Sequence, residues 1–337
     1  MSALQKVINA VCFLFFTLSL TLGLTGIGYS ASPIKLSISG TSPDSGIIKT
    51  STNFFAEKVA QLTKGQVVIE KFFGGVLGGE FEILELAGIG EVSIVMGSLG
   101  PSRYAPGYDP TVINFYFPDF GSIERYWGSA NPIYDRIQKT LYEKGKLRHL
   151  VPINMGARAM TSNKPVKVPA DFKGIKMRVP EIVEYVEIWK ELGCLVTPLP
   201  GSEIFSALQT GVIDAQENAL SNIVGRSMWE VQKYIIFTEH NRMAQHFTMS
   251  EVVWQKLSKE HQQAVQEAAR LTGQEVNRMA DELDKGYMKT LKEKGMTFIN
   301  PDLPSIRKTA RPAVDRLLGK LAQGVPAAAE NAIKGGK

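Results

Sequence analysis

Strand-like and helix-like segments alternate twice along this chain, and that alternation limits the fold more than any other feature. Lys35–Ser39 alternates apolar and polar residues with the period of a half-buried strand. Asn53–Gly65 follows, with Phe55, Val59 and Leu62 at helical spacing and Gly65 placed to stop the helix. Val67–Phe73 is a second strand, Glu82–Ala87 a short helix and Val92–Met96 a third strand. The pattern then restarts. Val151–Met160 is extended, Ile175–Val179 is a strand closed by Pro180, and Glu181–Leu192 is a helix stopped by Gly193. Val196–Leu199 is a strand, Ser202–Gln209 a helix, and Val212–Ala215 a short strand that gives way to a turn at Gln216–Asn218. Such order predicts an α/β fold with parallel pairing, helices on the sheet faces and ligands beyond the carboxyl ends of the strands. Two successive units predict two lobes.

From Val265 the apolar and small positions Ala268, Ala269, Thr272, Val276, Met279, Leu283 and Leu291 recur in steps of three and four. This predicts one long amphipathic helix, broken by Pro301 and Pro304, able to brace both lobes or simply to pack on one. The Ala-, Gly- and Lys-rich tail Ala327–Lys337 is expected to fray.

The N-terminus reads as an export signal. Lys6 is the one charged side chain in residues 1–30; the apolar run Val11–Leu24 follows, then the small residues of Gly28–Ser32. Cleavage after Ser30 is expected, the alternative being a retained anchor over Val7–Gly28. Cys12 would leave with the signal, so Cys194 would have no partner for an internal disulfide. The formal charge of +5 is spread among both signs with no run of five like charges, so a nucleic-acid partner is not expected.

Most catalytic patterns are absent. The four histidines, His149, His240, His246 and His261, make no metal-binding pair of the H-E-x-x-H type, and there is no G-x-S-x-G elbow or C-x-x-C. Gly74–Gly79 lacks the lysine of a phosphate loop and reads as turn material. No cofactor, metal or catalytic role is expected. Three polar residues of the second unit stand where they can face a cleft. Arg178 lies on the strand before Pro180, and its guanidinium fork fits a carboxylate. Asn218 can donate to the same anion, and Arg158 can add a second cation. Each also has a structural alternative: a surface strand residue, a turn former and a salt-bridged residue between lobes.

The stretches Gly156–Asn163, Asp171–Pro180, Leu192–Leu199, Glu203–Asn218 and Trp229–Tyr234 together resemble the substrate-binding subunit of TRAP (tripartite ATP-independent periplasmic) transporters, the DctP-like solute receptors. Weaker likeness covers Phe54–Glu57, Thr63–Gly65, Leu77–Glu80 and Trp254–Leu257. The resemblance implies a two-lobed periplasmic binding-protein fold with a hinge and a helix across both lobes. Lobe I would hold residues 31–155 and about 244–283, lobe II residues 156–243 and about 284–312, with a C-terminal helix and tail over 313–337. It implies a receptor that closes on an organic acid and delivers it to a membrane permease; a monomer is expected. The arginine of the family's R-V-P strand, which pairs with the ligand carboxylate, corresponds to Arg178; Arg158 and Asn218 match two further site positions, and Glu80, Gly97 and Ser98 correspond more loosely to first-lobe positions. Two departures bear on specificity. Glu181 stands where some sugar-acid binders carry an amide, and Gly201 where some relatives place an aromatic ring, which leaves room for a bulkier ligand or a ring from elsewhere. A nearby acid repels a second carboxylate, so sugar acids and other monocarboxylates rank above dicarboxylates. A signalling receptor or a periplasmic enzyme on the same scaffold is the competing reading.

Overall fold

A computed structural model describes residues 32–335; the export-signal reading over residues 1–30 lies outside them. The first unit runs β1 (Ile34–Ser39), α1 (Gly46–Leu62), β2 (Val67–Phe72), α2 (Glu80–Ile89), β3 (Ile94–Gly97), α3 (Leu99–Tyr104), α4 (Phe120–Tyr126) and α5 (Tyr134–Gly145). The long strand β4 (Leu147–Ser162) leads into β5 (Lys176–Val179), α6 (Val183–Glu191), β6 (Leu195–Pro198), α7 (Ile204–Gln209), β7 (Ala215–Ala219), α8 (Leu220–Gly225) and β8 (Tyr234–Ile236). β9 (Arg242–Ser250), α9 (Glu251–Trp254), α10 (Lys259–Glu293), β10 (Thr297–Ile299), α11 (Leu303–Leu318) and α12 (Val325–Lys334) complete the chain.

The strands join in the order β2-β1-β3-β9-β4-β7-β5-β6, with β8 beside β4 and β10 beside β8. β1 pairs parallel with β2 and β3, and β5 pairs parallel with β6 and β7, as strand–helix–strand order requires. β4 serves both halves. Its first part pairs antiparallel with β9 through Leu147–Ala157, and its last part with β7 through Arg158–Ser162. Between them the register shifts and Gly156 takes φ +83°. A side chain there would be strained by the backbone and would overlap the Asp284 carboxylate, so the bend needs glycine. Asp284 sits on α10 and accepts from Ala157 N at 3.4 Å, tying the helix to the bend.

α10 has 35 residues, about 50 Å of helix at 1.5 Å per residue. Ser258 caps its start by accepting from His261 N, and Val265, Ala268, Ala269, Val276 and Ala280 are buried along one face. A Cβ at Gly273 would come within 2.6 Å of Val151 Cγ2, so this glycine permits close approach to β4. The predicted helix is present, but it ends at Glu293, ahead of Pro301. Gly295, at φ +86°, turns the chain, and Pro304 instead lies in the first turn of α11. The tail also departs from expectation. Its alanines form α12, with Ala328, Ala329 and Ala332 buried beside Phe117, Ile123 and Ile137. Small side chains let the helix dock closely; composition alone read them as loose chain. Among the described residues no helix is long and apolar enough to cross a membrane.

Candidate functional site

A narrow cleft lies where loops after β1 and β3 meet the strand ends of β5 and β7. Arg158, Arg178, Asn218, Glu80, Ser98, Glu181 and Gly201 all border it. Gly97 does not, and acts one step behind.

Arg178 is in the middle of the short strand β5, between β6 and β7, and is 3% exposed. Nε donates to Leu199 O at 2.9 Å, and Nη2 donates to the same oxygen. That oxygen holds one edge of the guanidinium. No carboxylate pairs with Arg178 among the described residues, and Nη1 makes no hydrogen bond there. Burial pulls its pKa down to about 9; Glu217 opposes this, and the Arg158 and Arg226 guanidiniums add to it. A buried cation held this far below its ordinary range is stabilised by any anion that enters beside it.

Asn218 corrects the turn expected at Gln216–Asn218. These residues lie inside β7, because Ala159 and Met160 of β4 pair with Asn218 and Glu217. Asn218 Oδ1 accepts from Asn222 Nδ2 at 2.8 Å and from Ala219 N at 3.1 Å. Nδ2 makes only a 3.4 Å contact to Gln216 Oε1, so the amide's donor end is left for the cleft.

Arg158 borders the cleft but is committed elsewhere. Its Nε and Nη2 grip the Glu217 carboxylate, the latter at 2.8 Å to Oε1, and Nη2 also donates to Glu217 O at 2.9 Å. Nη1 faces Met243. Burial disfavours this cation, yet Glu217 holds its pKa above the ordinary value. Burial likewise opposes the Glu217 charge, and Arg158 with the His240 hydrogen bond keeps it below the usual carboxylate range. His240 is buried and pushed down, hence neutral. Since a carboxylate only accepts, His240 Nε2 carries the proton donated to Glu217 Oε2 at 2.7 Å, and Nδ1 accepts from Thr238 Oγ1 at 2.7 Å.

On the opposite wall, Glu80 begins α2 and its Oε1 accepts from Leu99 N at 2.6 Å. Burial raises its pKa to about 7 against those backbone hydrogen bonds. A Cβ at Gly97 would overlap this carboxylate, so Gly97 gives Glu80 its place. Glu181, half-buried, is raised by burial while Arg178 pulls it down.

The room expected at Gly201 is filled. A Cβ there would lie 3.2 Å from Arg226 Nη2, so a guanidinium occupies the space where an aromatic ring was the alternative. Arg226 follows α8 and donates to Thr41 O at 2.7 Å; burial pulls its pKa to about 10. The sequence reading missed it, along with Gln245 and Asn222, because no local pattern marks them and only chain crossing brings them to the cleft. Among the described residues no group of three metal-ligating side chains is assembled.

Residues 38–321 match the model of the bacterial extracellular solute-binding proteins, family 7. A solute-binding protein of Roseobacter denitrificans is 34% identical over 264 residues, 77% of this chain and 79% of that protein. Among solved structures, a TRAP periplasmic solute-binding protein of Roseobacter denitrificans with bound L-galactonate is 29% identical, with TM-score 0.81 over 89% of this chain and 99% of the other. A TRAP periplasmic solute-binding protein of Polaromonas bound to D-erythronate is 28% identical, with TM-score 0.81 over 90% of this chain and 98% of the other. The chain therefore belongs to bacterial extracellular solute-binding protein family 7 and has the two-lobed α/β architecture of the TRAP periplasmic receptors.

Proposed function

We propose that this receptor captures an organic acid, a sugar acid before other monocarboxylates, and hands it to a TRAP membrane permease. One observation carries the reading: a buried Arg178 is fixed by Leu199 O along one edge and turns its unpaired side to a polar cleft. A ligand carboxylate docks on Arg178 and the Asn218 amide. Arg158, already neutralised by Glu217, contributes field and shape. With Glu217 paired and Glu80 held near neutrality by burial, Arg178 and Arg226 outweigh Glu181, so a single negative charge is matched. The bound L-galactonate and D-erythronate of the two related receptors support this chemistry. In this reading the protein is a periplasmic monomer, exported by a cleaved signal. It closes about the β4 bend, with lobe I as residues 31–155 plus about 244–283 and lobe II as 156–243 plus about 284–312.

Titration calorimetry with a panel of organic acids tests the reading. Arg178→Ala is expected to weaken the best ligand by about 2–5 kcal/mol, roughly 30- to several-thousand-fold, with melting little changed. Unchanged affinity removes Arg178 from the site.

A further inference from the structure

The loop after β1, residues 41–47, belongs to the half of the sheet built on β1–β3 but is gripped by side chains of the other half. At its start, Arg226 donates from Nη2 to Thr41 O at 2.7 Å. In its middle, a Cβ at Gly225 would lie 2.7 Å from Ser45 Oγ, so this glycine lets the end of α8 meet the loop. At its end, the Tyr287 hydroxyl accepts from Ile47 N at 2.8 Å. Ile47 stands in the first turn of α1, where N–H groups have no partner within the helix. Ser45 holds the cap position but makes no side-chain hydrogen bond there. The cap comes instead from Tyr287 on α10, 240 positions later, whose ring packs with Ile204, Leu220, Ile223 and Leu291 of the second half. Gly46 completes the fit: it takes φ +51°, and a Cβ there would stand 2.3 Å from the Tyr287 oxygen. Tyr287 lies one turn beyond Asp284, where α10 is tied to the β4 bend. Thr41 and Arg226 border the ligand cleft, whereas Ile47 and Tyr287 do not. The hydroxyl thus joins the two halves away from the ligand.

We propose that Tyr287 is an interlobe latch: its hydroxyl caps α1 only in the closed receptor and so sets how long a captured acid is held. The inference rests on the closing-receptor reading above and deepens it. Rotation of the halves about the β4 bend carries the hydroxyl and Ile47 N apart, because the ring is seated in one half and the helix start in the other. In the open form water replaces Tyr287 on that N–H, so closure gains the net value of one hydrogen bond. A gain of that size shifts a two-state equilibrium by a modest factor without any contact to the ligand. It acts on release, since the latch forms only once the lobes have met.

Two measurements test it. One is stopped-flow release of L-galactonate or D-erythronate, whichever the wild type holds more tightly. The other is the distance between spin labels at Lys64→Cys and Lys173→Cys, exposed positions on opposite halves. Tyr287→Phe keeps the ring and removes the hydroxyl. It is expected to speed release about two- to tenfold, to leave the association rate within about twofold and to lower the closed fraction of the labelled protein. Gly46→Ala, which displaces the hydroxyl from the α1 side, takes its place if melting curves show that Tyr287→Phe does not fold. A cap that served α1 equally in open and closed forms would lower the melting midpoint and leave release and closed fraction unchanged; that result overturns the latch. Slower association with unchanged release overturns it too. If the wild type binds neither acid, the support these two acids lend to the organic-acid reading falls, and the label distances of the acid-free proteins decide the latch: a smaller closed fraction in Tyr287→Phe supports it, and identical distributions overturn it.

Discussion

Gly97 and Glu80 are fitted to one another: the carboxylate of Glu80 fills the space in which a Cβ at position 97 would stand. From there its Oε1 accepts from Leu99 N at 2.6 Å, so the end of β3 and the start of α2 hold one acidic group at the cleft wall. Gly97→Ala is expected to push the carboxylate off that backbone donor at a cost of about 1–3 kcal/mol. Calorimetry should show weaker ligand binding, and melting a lowered midpoint. Wild-type values for both would mean that Glu80 accommodates a methyl group and that Gly97 has no such role.

The same carboxyl makes stability depend on pH. Its ordinary value is 4.5, and burial raises it to about 7 in the folded protein. Between those values the folded chain keeps a proton that the unfolded chain has released. This group's contribution to stability therefore falls as pH rises from about 4.5 and levels off above about 7. The full span is about 3 kcal/mol. Glu80→Gln should remove that slope, so its stability relative to wild type, from urea unfolding, should rise between pH 5 and pH 8. Binding of an anionic ligand beside Glu80 should likewise be tighter at pH 6 than at pH 8 in the wild type and flatter in the variant. Parallel pH profiles for the two proteins would contradict the assignment.

The Arg158–Glu217 pair is fully buried and joined by two parallel hydrogen bonds along the Nε–Nη2 edge of the guanidinium. Glu217→Gln leaves a buried cation without its counter-charge, and a loss of about 3–5 kcal/mol is expected. Arg158→Met added to Glu217→Gln should recover part of it, since no unpaired charge then remains. Because Glu217 is held below its ordinary range, its contribution is present above the unfolded-state value and is lost as pH falls through the folded one. Denaturant unfolding of the single and double variants measures this; a double variant less stable than Glu217→Gln would show that the pair contributes by packing alone.

At the β4 bend, Gly156→Ala meets both a backbone conformation of φ +83° and the Asp284 carboxylate. Destabilisation of roughly 1–3 kcal/mol is expected. Asp284→Ala in the same background relieves the overlap but not the backbone strain, so it should restore only part of the loss. Complete restoration would assign the whole effect to the overlap.

Much of this protein was legible in one dimension because the relevant forces are local. The period of Lys35–Ser39 and the helical spacing from Val265 record which side of each segment meets apolar neighbours, and both elements formed as read. Glycines 65 and 193 stop helices through their own backbone freedom. Arg178 was found because its motif is contiguous and shared with a family. Other features needed the folded chain. Asn218 read as a turn residue and became a strand residue because β4 supplied the pairing. The alanines of α12 read as loose chain until a core was there for them to dock on. Arg158 was expected to face the ligand, but a glutamate 59 positions away holds it. Arg226 and Gln245 each reach the cleft wall through a hydrogen bond to a loop nearly two hundred residues earlier. Sequence period reports burial, which each segment carries in itself; partner choice is a contact between segments, and only tertiary packing decides which unpaired donor meets which unpaired acceptor.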